Sequence, residues 1–310
     1  MVNILALGWL ATIFSLFLYS FSQIDLGLTL TQLTFWQSIQ TSFQYLGYFQ
    51  RPASTTIYLA ILTGLFAFYL LILRAVHRKQ FSAKKIWFLI LATAGILWLS
   101  YNAFSYDLFN YIFDAKIVTF YHQNPYLYKA LDFPTDPMLG FMHWTHRLYP
   151  YGPLWLALTV PLSFLGFQKF LLTAILFKGL AVAGYLAASW FIFQILRKTA
   201  PKKALLGLVI FAFNPLVVIE SLVSAHNDIV MMAGVLASFY LLIRSRQKTA
   251  ILFWLASVGI KFATGILLPI FLVRKFFPRA ALLLMTIAMV AVIRRTSFQP
   301  WYFLYILPFV

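Results

Sequence analysis

The sequence predicts an all-α protein, a polytopic bundle of transmembrane helices. Three observations carry that reading. Of 310 residues, 62% are hydrophobic and only 10% are charged, where soluble domains carry about a quarter. Apolar runs long enough, or nearly so, to cross ~30 Å of hydrocarbon at ~1.5 Å per residue recur along the chain. The runs lack the period-two alternation of barrel strands, which leaves helices as the spanning structure.

The first run, residues 3 to 22, has no basic leading segment, and no small-residue cleavage site follows it directly. It is expected to be a retained helix rather than a signal peptide. Residues 23 to 55 are too polar to span and are expected at the interface. A second span, 56 to 73, ends in RAVHRKQFSAKK, whose Arg74, Arg78, Lys79, Lys84 and Lys85 mark a cytoplasmic loop. The third span, 86 to 104, then delivers the segment 105 to 152 to the opposite, external face.

Two apolar runs follow, 151 to 167 and 170 to 196, before the cluster RKTAPKK at 197 to 203. If both runs cross, that cluster lies outside, against the positive-inside rule. Either one run is re-entrant or interfacial, or the cluster is an exception. Runs at 204 to 222 and 229 to 243 bracket the polar turn SAHND, and RSRQK follows. Runs at 250 to 273 and 280 to 293 are separated by RKFFPR, and SFQPWYFLYILPFV is too short to span, a half-helix or the end of a fragment. The expectation is eight to ten spans in one integral membrane domain, with N-terminal spans in 1–104, an external catalytic loop in 105–152 and C-terminal spans in 153–310. No internal repeat is visible.

The formal charge of +17 sits in short clusters between apolar runs. Topology and anionic lipid headgroups account for such clusters, so nucleic acid is not an expected partner. There is no cysteine, which excludes disulfides, zinc-thiolate sites and thiol catalysis.

Against this background, residues 105 to 152 are a polar island that holds Asp107, Asp114, Asp132 and Asp136, four of the seven acidic residues, and three of the five histidines, His122, His143 and His146. A helix from Tyr106 to Tyr121 puts Asp107, Asn110, Tyr111 and Asp114 on one face by i, i+3, i+4, i+7 spacing, with Leu108, Phe109, Ile112, Phe113 and Phe120 on the other. Such a helix is expected to lie in the membrane plane with its carboxylates raised, and Lys116 on the apolar side to snorkel to phosphates. A carboxylate there can serve as general base toward a hydroxyl. The plainer alternative has Asp107 as a helix cap and Asp114 as a solvated residue.

Asn124 precedes Pro125 and must leave the helix. Asp132 and Asp136 in DFPTDP read as turn formers first. His143 and His146 in HWTHR have a spacing compatible with a divalent metal, although no third ligand is identified. They could equally join Arg147 in neutralising a phosphate. No cofactor is otherwise expected. Lys261, inside LASVGIKFATGILLP, is costly in a membrane interior unless it meets a partner or an anionic ligand. Glu220 is one candidate partner.

Five stretches in order resemble a known family: SYDLFNYIFDAKIV with NPY, LYPYGPLW, FNPLVVIESLVSAHNDIVMM, GIKFATGILLPIFL and FQPWYFLYILP. Together they are similar to polytopic glycosyltransferases of the GT-C superfamily that use polyprenyl-phosphate sugars, in particular the bacterial alpha-mannosyltransferase-like group. The resemblance implies inverting hexosyl transfer, mannosyl-like, to a glycan or glycolipid acceptor at the external face of the plasma membrane. It implies Asp107 as general base and Asp114 as the second acidic position. Sugar and phosphate contacts are expected from Asn110, Tyr111, Lys116, Asn124, Tyr126, His143, His146, Arg147, Tyr149, His226, Asn227, Asp228, Lys261, Gln299 and Trp301. The chain departs from the family pattern at Asp114-Ala115, commonly Asp-Gly, and at Tyr149-Pro150-Tyr151, commonly Tyr-Pro-Pro. A lipid-phosphate donor also needs no nucleotide-binding motif, and no G-x-G-x-x-G stands between strand and helix.

Two other classes fit the composition. A transporter or lipid flippase would run its substrate past Lys261 and Glu220, but such proteins often show paired repeats. A membrane assembly protein would use the island to bind a partner.

Overall fold

In the computed structural model, which describes residues 2–310, every regular element is a helix. The N-terminal part comprises α1 (Val2–Ser20), α2 (Thr34–Gln44), α3 (Arg51–His77) and α4 (Ala83–Trp98). The island supplies α5 (Asp107–Thr119) and loops, and α6 (Pro153–Leu165), α7 (Phe170–Thr199), α8 (Ala204–Ala212) and α9 (Pro215–Val218) follow. The chain continues through α10 (Asp228–Ile243), α11 (Gln247–Ile260), α12 (Leu268–Val273) and α13 (Pro278–Arg295).

Among the described residues, Val2–Gln23, Arg51–His77 and Phe170–Thr199 are each long and apolar enough to cross a bilayer. Pro201–Ala212 and Pro215–Val223 pass the same test only as a pair bent by 56°. Leu7, Phe14, Leu59, Phe66, Leu70 and Phe88 project outward from the bundle, the apolar surface that a lipid-facing helix presents.

Breaks in the helices have local causes. Asn214 precedes Pro215, which disfavours helical geometry at the residue before it, and the Asn214 side chain accepts the Leu216 N–H at 3.0 Å to start α9. The apolar run 250 to 273, expected as one span, is broken at Lys261, whose backbone is extended with φ −151° and ψ 125°. That break lets the lysine leave the helical register instead of facing lipid.

The bundle has two ends of different chemistry. Trp87 near the start of α4 meets Phe193 near the end of α7, so Lys84, Lys85 and the 197–203 cluster share one end. At the other, Trp98 Nε1 donates to the Ile175 carbonyl at 2.8 Å, and Phe170 packs on Phe109 and Phe141 of the island. The intervening α6 has only 13 residues, about 20 Å of helix and too short to span. It runs beside α5, with Thr119 and Ser163 hydroxyls 2.9 Å apart. The run 151 to 167 is thus a short helix beside α5, and the 197–203 cluster lies at the same end of the bundle as Lys84 and Lys85.

Candidate active site

Asp107 is the first residue of α5, and its backbone N–H is held by the Ser105 hydroxyl at 3.1 Å. A carboxylate at a helix N-terminus is favoured by the helix dipole. From there Asp107, Asn110 and Asp114 line a cavity of about 400 Å³, within the usual range for small-ligand sites. The rest of its wall carries Arg147, Tyr151, Lys261, Arg295, Gln299, Trp301 and Tyr302.

Close backbone approach assembles that wall. Gly152 donates its N–H to the Ile260 carbonyl at 3.0 Å. A Cβ on Gly152 would stand 2.2 Å from the Gly259 carbonyl oxygen, so only glycine brings Tyr151 against the break at Lys261. Lys261 Nζ lies 5.8 Å and 5.9 Å from the Tyr151 and Tyr302 ring centres, cation–π range. It also meets both carboxylate oxygens of the buried Asp228, at 2.8 and 3.0 Å. Glu220 is thus not its partner.

Glu220 instead faces His226. The imidazole is fully buried, with Nδ1 3.4 Å from Asp107 Oδ2 and Nε2 3.3 Å from Glu220 Oε2. Both are ion-pair contacts without hydrogen-bond alignment. Trp301 stacks on the ring at 4.1 Å between centroids. Ala225 takes a left-handed φ of 52°, and Glu220 sits in the π-helical turn Ile219–Val223, an irregularity frequent at functional sites. Lys178 of α7 donates to Ser100 at its carbonyl (2.8 Å) and hydroxyl (2.7 Å) and to the Val223 carbonyl at 3.3 Å. It ties the approach to α5 to the end of that turn.

The charges respond to these neighbours. Burial disfavours ionisation of Asp107, but His226 beside it, with Lys261 and Arg147, holds its pKa below the ordinary carboxylate value. Burial, with Asp107 close by, pushes Asp114 up to about 8. Burial opposes protonation of His226, and the two carboxylates prevail, raising it to about 9.

The remaining expected contacts are placed elsewhere. Tyr111 is buried, 5.2 Å by centroid from Tyr151 and Trp155, and its hydroxyl accepts the Asn227 N–H at 3.5 Å. The α5 helix is covered on both sides rather than lying with its polar face in solvent, because its polar face turns inward against the C-terminal half. Lys116 pairs with Asp136, which also accepts the Tyr121 hydroxyl at 2.7 Å and the Met138 N–H at 2.9 Å. Lys116 thereby fastens the island loop. Asp132 accepts the Lys129 N–H at 2.9 Å, a turn role like that of Asp136.

Asn124 forms a turn by accepting the Tyr126 N–H at 3.0 Å, and the Tyr126 hydroxyl donates to the Tyr151 carbonyl at 3.1 Å. The Tyr149 hydroxyl donates to the Gly152 carbonyl at 3.2 Å. These three support the wall without lining the cavity. His143 stacks on Tyr106 at 3.6 Å, and His146 is exposed. No cluster of three His, Asp or Glu able to hold a metal ion occurs among the described residues. Asn227 is fully buried with both amide atoms unpartnered.

Sequence reasoning missed Arg295, Thr296, Ser297 and Tyr302. The basic pair Arg294-Arg295 just before Gln299-Pro300-Trp301 was the available signal.

A helical membrane bundle that gathers paired acids, cations and aromatic rings around one small-ligand cavity has the make-up of a membrane glycosyltransferase. Residues 9–276 match the family model of the alpha-(1->6)-mannopyranosyltransferase N-terminal domain, and the chain belongs to that family. It is a mannosyltransferase-family protein, in keeping with the GT-C resemblance. No curated protein and no solved structure gives a match.

Proposed function

We propose that the protein moves a mannopyranosyl residue from a polyprenyl-phosphate donor to the 6-hydroxyl of a mannoside-bearing glycan or glycolipid, at the external face of the membrane, with Asp107 as general base. The linkage follows the family's description. One observation carries the chemistry: an ionised Asp107 shares a cavity with Lys261, Arg147 and Arg295.

In the reaction the acceptor O–H proton passes to the free oxygen of Asp107 while the acceptor oxygen attacks the anomeric carbon. The bond from that carbon to the phosphate oxygen breaks, and its electron pair leaves with the phosphate. Lys261, Arg147 and Arg295 supply positive charge where negative charge develops. Displacement with inversion converts a β-linked phosphate into an α-linked glycoside. Asp114 keeps its proton at neutral pH, which suits it to donate a hydrogen bond to a sugar hydroxyl rather than to act as base. Asn110 Oδ1, unpartnered within the protein, lies in the same wall. Trp301 and Tyr302 offer aromatic faces to a sugar ring. The external assignment follows from the basic loops at the opposite end of the bundle.

The test uses purified full chain in liposomes, radiolabelled polyprenyl-phosphate mannose, glucose and arabinose as donors, and octyl α-mannoside as acceptor. Transfer of mannose is expected, with Asp107→Asn lowering turnover by about 10² to 10⁴ while eluting as a folded protein. Full turnover in that variant removes Asp107 as the base. Solute flux without transfer from any donor would favour a transporter.

A further inference from the structure

We infer that Glu220 and His226 are positioning residues that hold Asp107 for catalysis, with His226 working as a doubly protonated clamp between two carboxylates. The inference rests on Asp107 as the base.

The geometry is a line of three groups. Asp107 Oδ2 faces one imidazole nitrogen at 3.4 Å, and Glu220 Oε2 faces the other at 3.3 Å. A neutral imidazole carries one N–H and can serve one carboxylate only. Serving both requires the imidazolium, so the three groups together carry a single negative charge. His226 has no exposure at all, and unscreened attraction at that depth is stronger than at a surface. With Oδ2 engaged by the ring, Oδ1 is left for an acceptor hydroxyl.

Three different elements fix the clamp. Glu220 lies in the π turn, His226 follows Ala225 with its left-handed backbone, and Asp107 opens α5. Trp301 covers one face of the imidazole and also lines the cavity. A sugar seated on Trp301 and the carboxylate held by His226 therefore share one rigid wall.

The other charged and titratable groups nearby are accounted for. Lys261, paired with Asp228, and Arg147 line the same cavity and act on Asp107 by their charge, and Asp114 lies further along the same helical face. Tyr111 reaches the Asn227 backbone, and Tyr58 of α3 lies within Coulombic reach of Glu220. None of these carboxylates or hydroxyls replaces Glu220 at the second imidazole nitrogen.

The experiment follows the pH dependence of mannosyl transfer from polyprenyl-phosphate mannose to octyl α-mannoside for wild type, Glu220→Gln, His226→Gln and Asp107→Asn. Wild-type kcat is expected to fall as pH rises through about 8 and about 9, where Asp114 loses its proton and the imidazolium its second one. Glu220→Gln removes a negative charge that favours that proton, so its alkaline limb moves to lower pH, toward the ordinary histidine value. His226→Gln loses the part of the limb at about 9, keeps the part that Asp114 sets at about 8, and lowers kcat by about tenfold or more, with donor KM little changed. A merely structural role would lower activity evenly across pH. Superimposable profiles for wild type and Glu220→Gln, or full kcat in His226→Gln, overturn the clamp. If Asp107→Asn is inactive in that case, the base assignment stands without it. If Asp107→Asn is fully active, the base assignment fails first.

Discussion

Lys261 and Asp228 form a two-pronged ion pair, 2.8 and 3.0 Å from the ammonium to the two carboxylate oxygens, with the carboxylate fully enclosed and the ammonium on the cavity wall. Lys261 supplies the close hydrogen bonds to the carboxylate, and the buried Tyr305 lies beside it. The lysine is shared between its partner and whatever anion enters the cavity.

Lys261→Met is therefore expected to do two separable things. It leaves Asp228 buried without its cation, which costs ~3–5 kcal/mol, and it removes a positive charge from the phosphate side of the reaction. The double variant Lys261→Met with Asp228→Leu should recover most of the lost thermal stability in detergent micelles and none of the transfer activity. Recovery of both would make the pair purely structural.

Asp114 is predicted to make stability depend on pH. Its carboxyl titrates near 3.8 when unfolded and at about 8 when folded. Between those values the native state binds more protons than the unfolded state, so stability falls as pH rises. His226, raised from 6.5 to about 9, adds a slope of the same sign above 6.5. Below 6.5 the slope from Asp114 stands apart. Thermal midpoints of Asp114→Asn should then decline less steeply with pH than those of wild type, and parallel curves would refute the raised value.

Lys116 offers a test of fastening against phosphate binding. Its partner Asp136 is buried, and Lys116 supports that carboxylate together with Tyr121 and Met138. The Asp136 pKa lies below the ordinary value because these groups outweigh its burial. That contribution is present above pH 3.8 and fades as pH falls through the folded pKa. Lys116→Met should lower the thermal midpoint at neutral pH while leaving donor KM unchanged. A raised donor KM at unchanged midpoint would return Lys116 to the donor.

Much of the site was legible before any fold was known. Asp107, Asn110 and Asp114 follow helical spacing, and the structure brings all three to one cavity. Scarcity of charge made Lys261 and Glu220 conspicuous, since an ionised group in an apolar run requires a partner. Pairing was not legible. Glu220 and Asp228 stand eight positions apart in the sequence, and nothing local says which meets the lysine. The His143 and His146 pair looked equally chemical, yet one stacks on Tyr106 and the other faces solvent.

By itself, the sequence determined the membrane class, the helical architecture and the residues able to carry charge chemistry, because composition and periodicity act over a single helix. Tertiary structure alone decided that α5 turns its acids inward, that Gly152 docks on the end of α11, and that His226 comes between Asp107 and Glu220. Each of these depends on where a helix breaks, at Asn214, Ala225 or Lys261, and on which backbones then approach. Long-range packing sets such contacts, and residue spacing along one chain does not encode them.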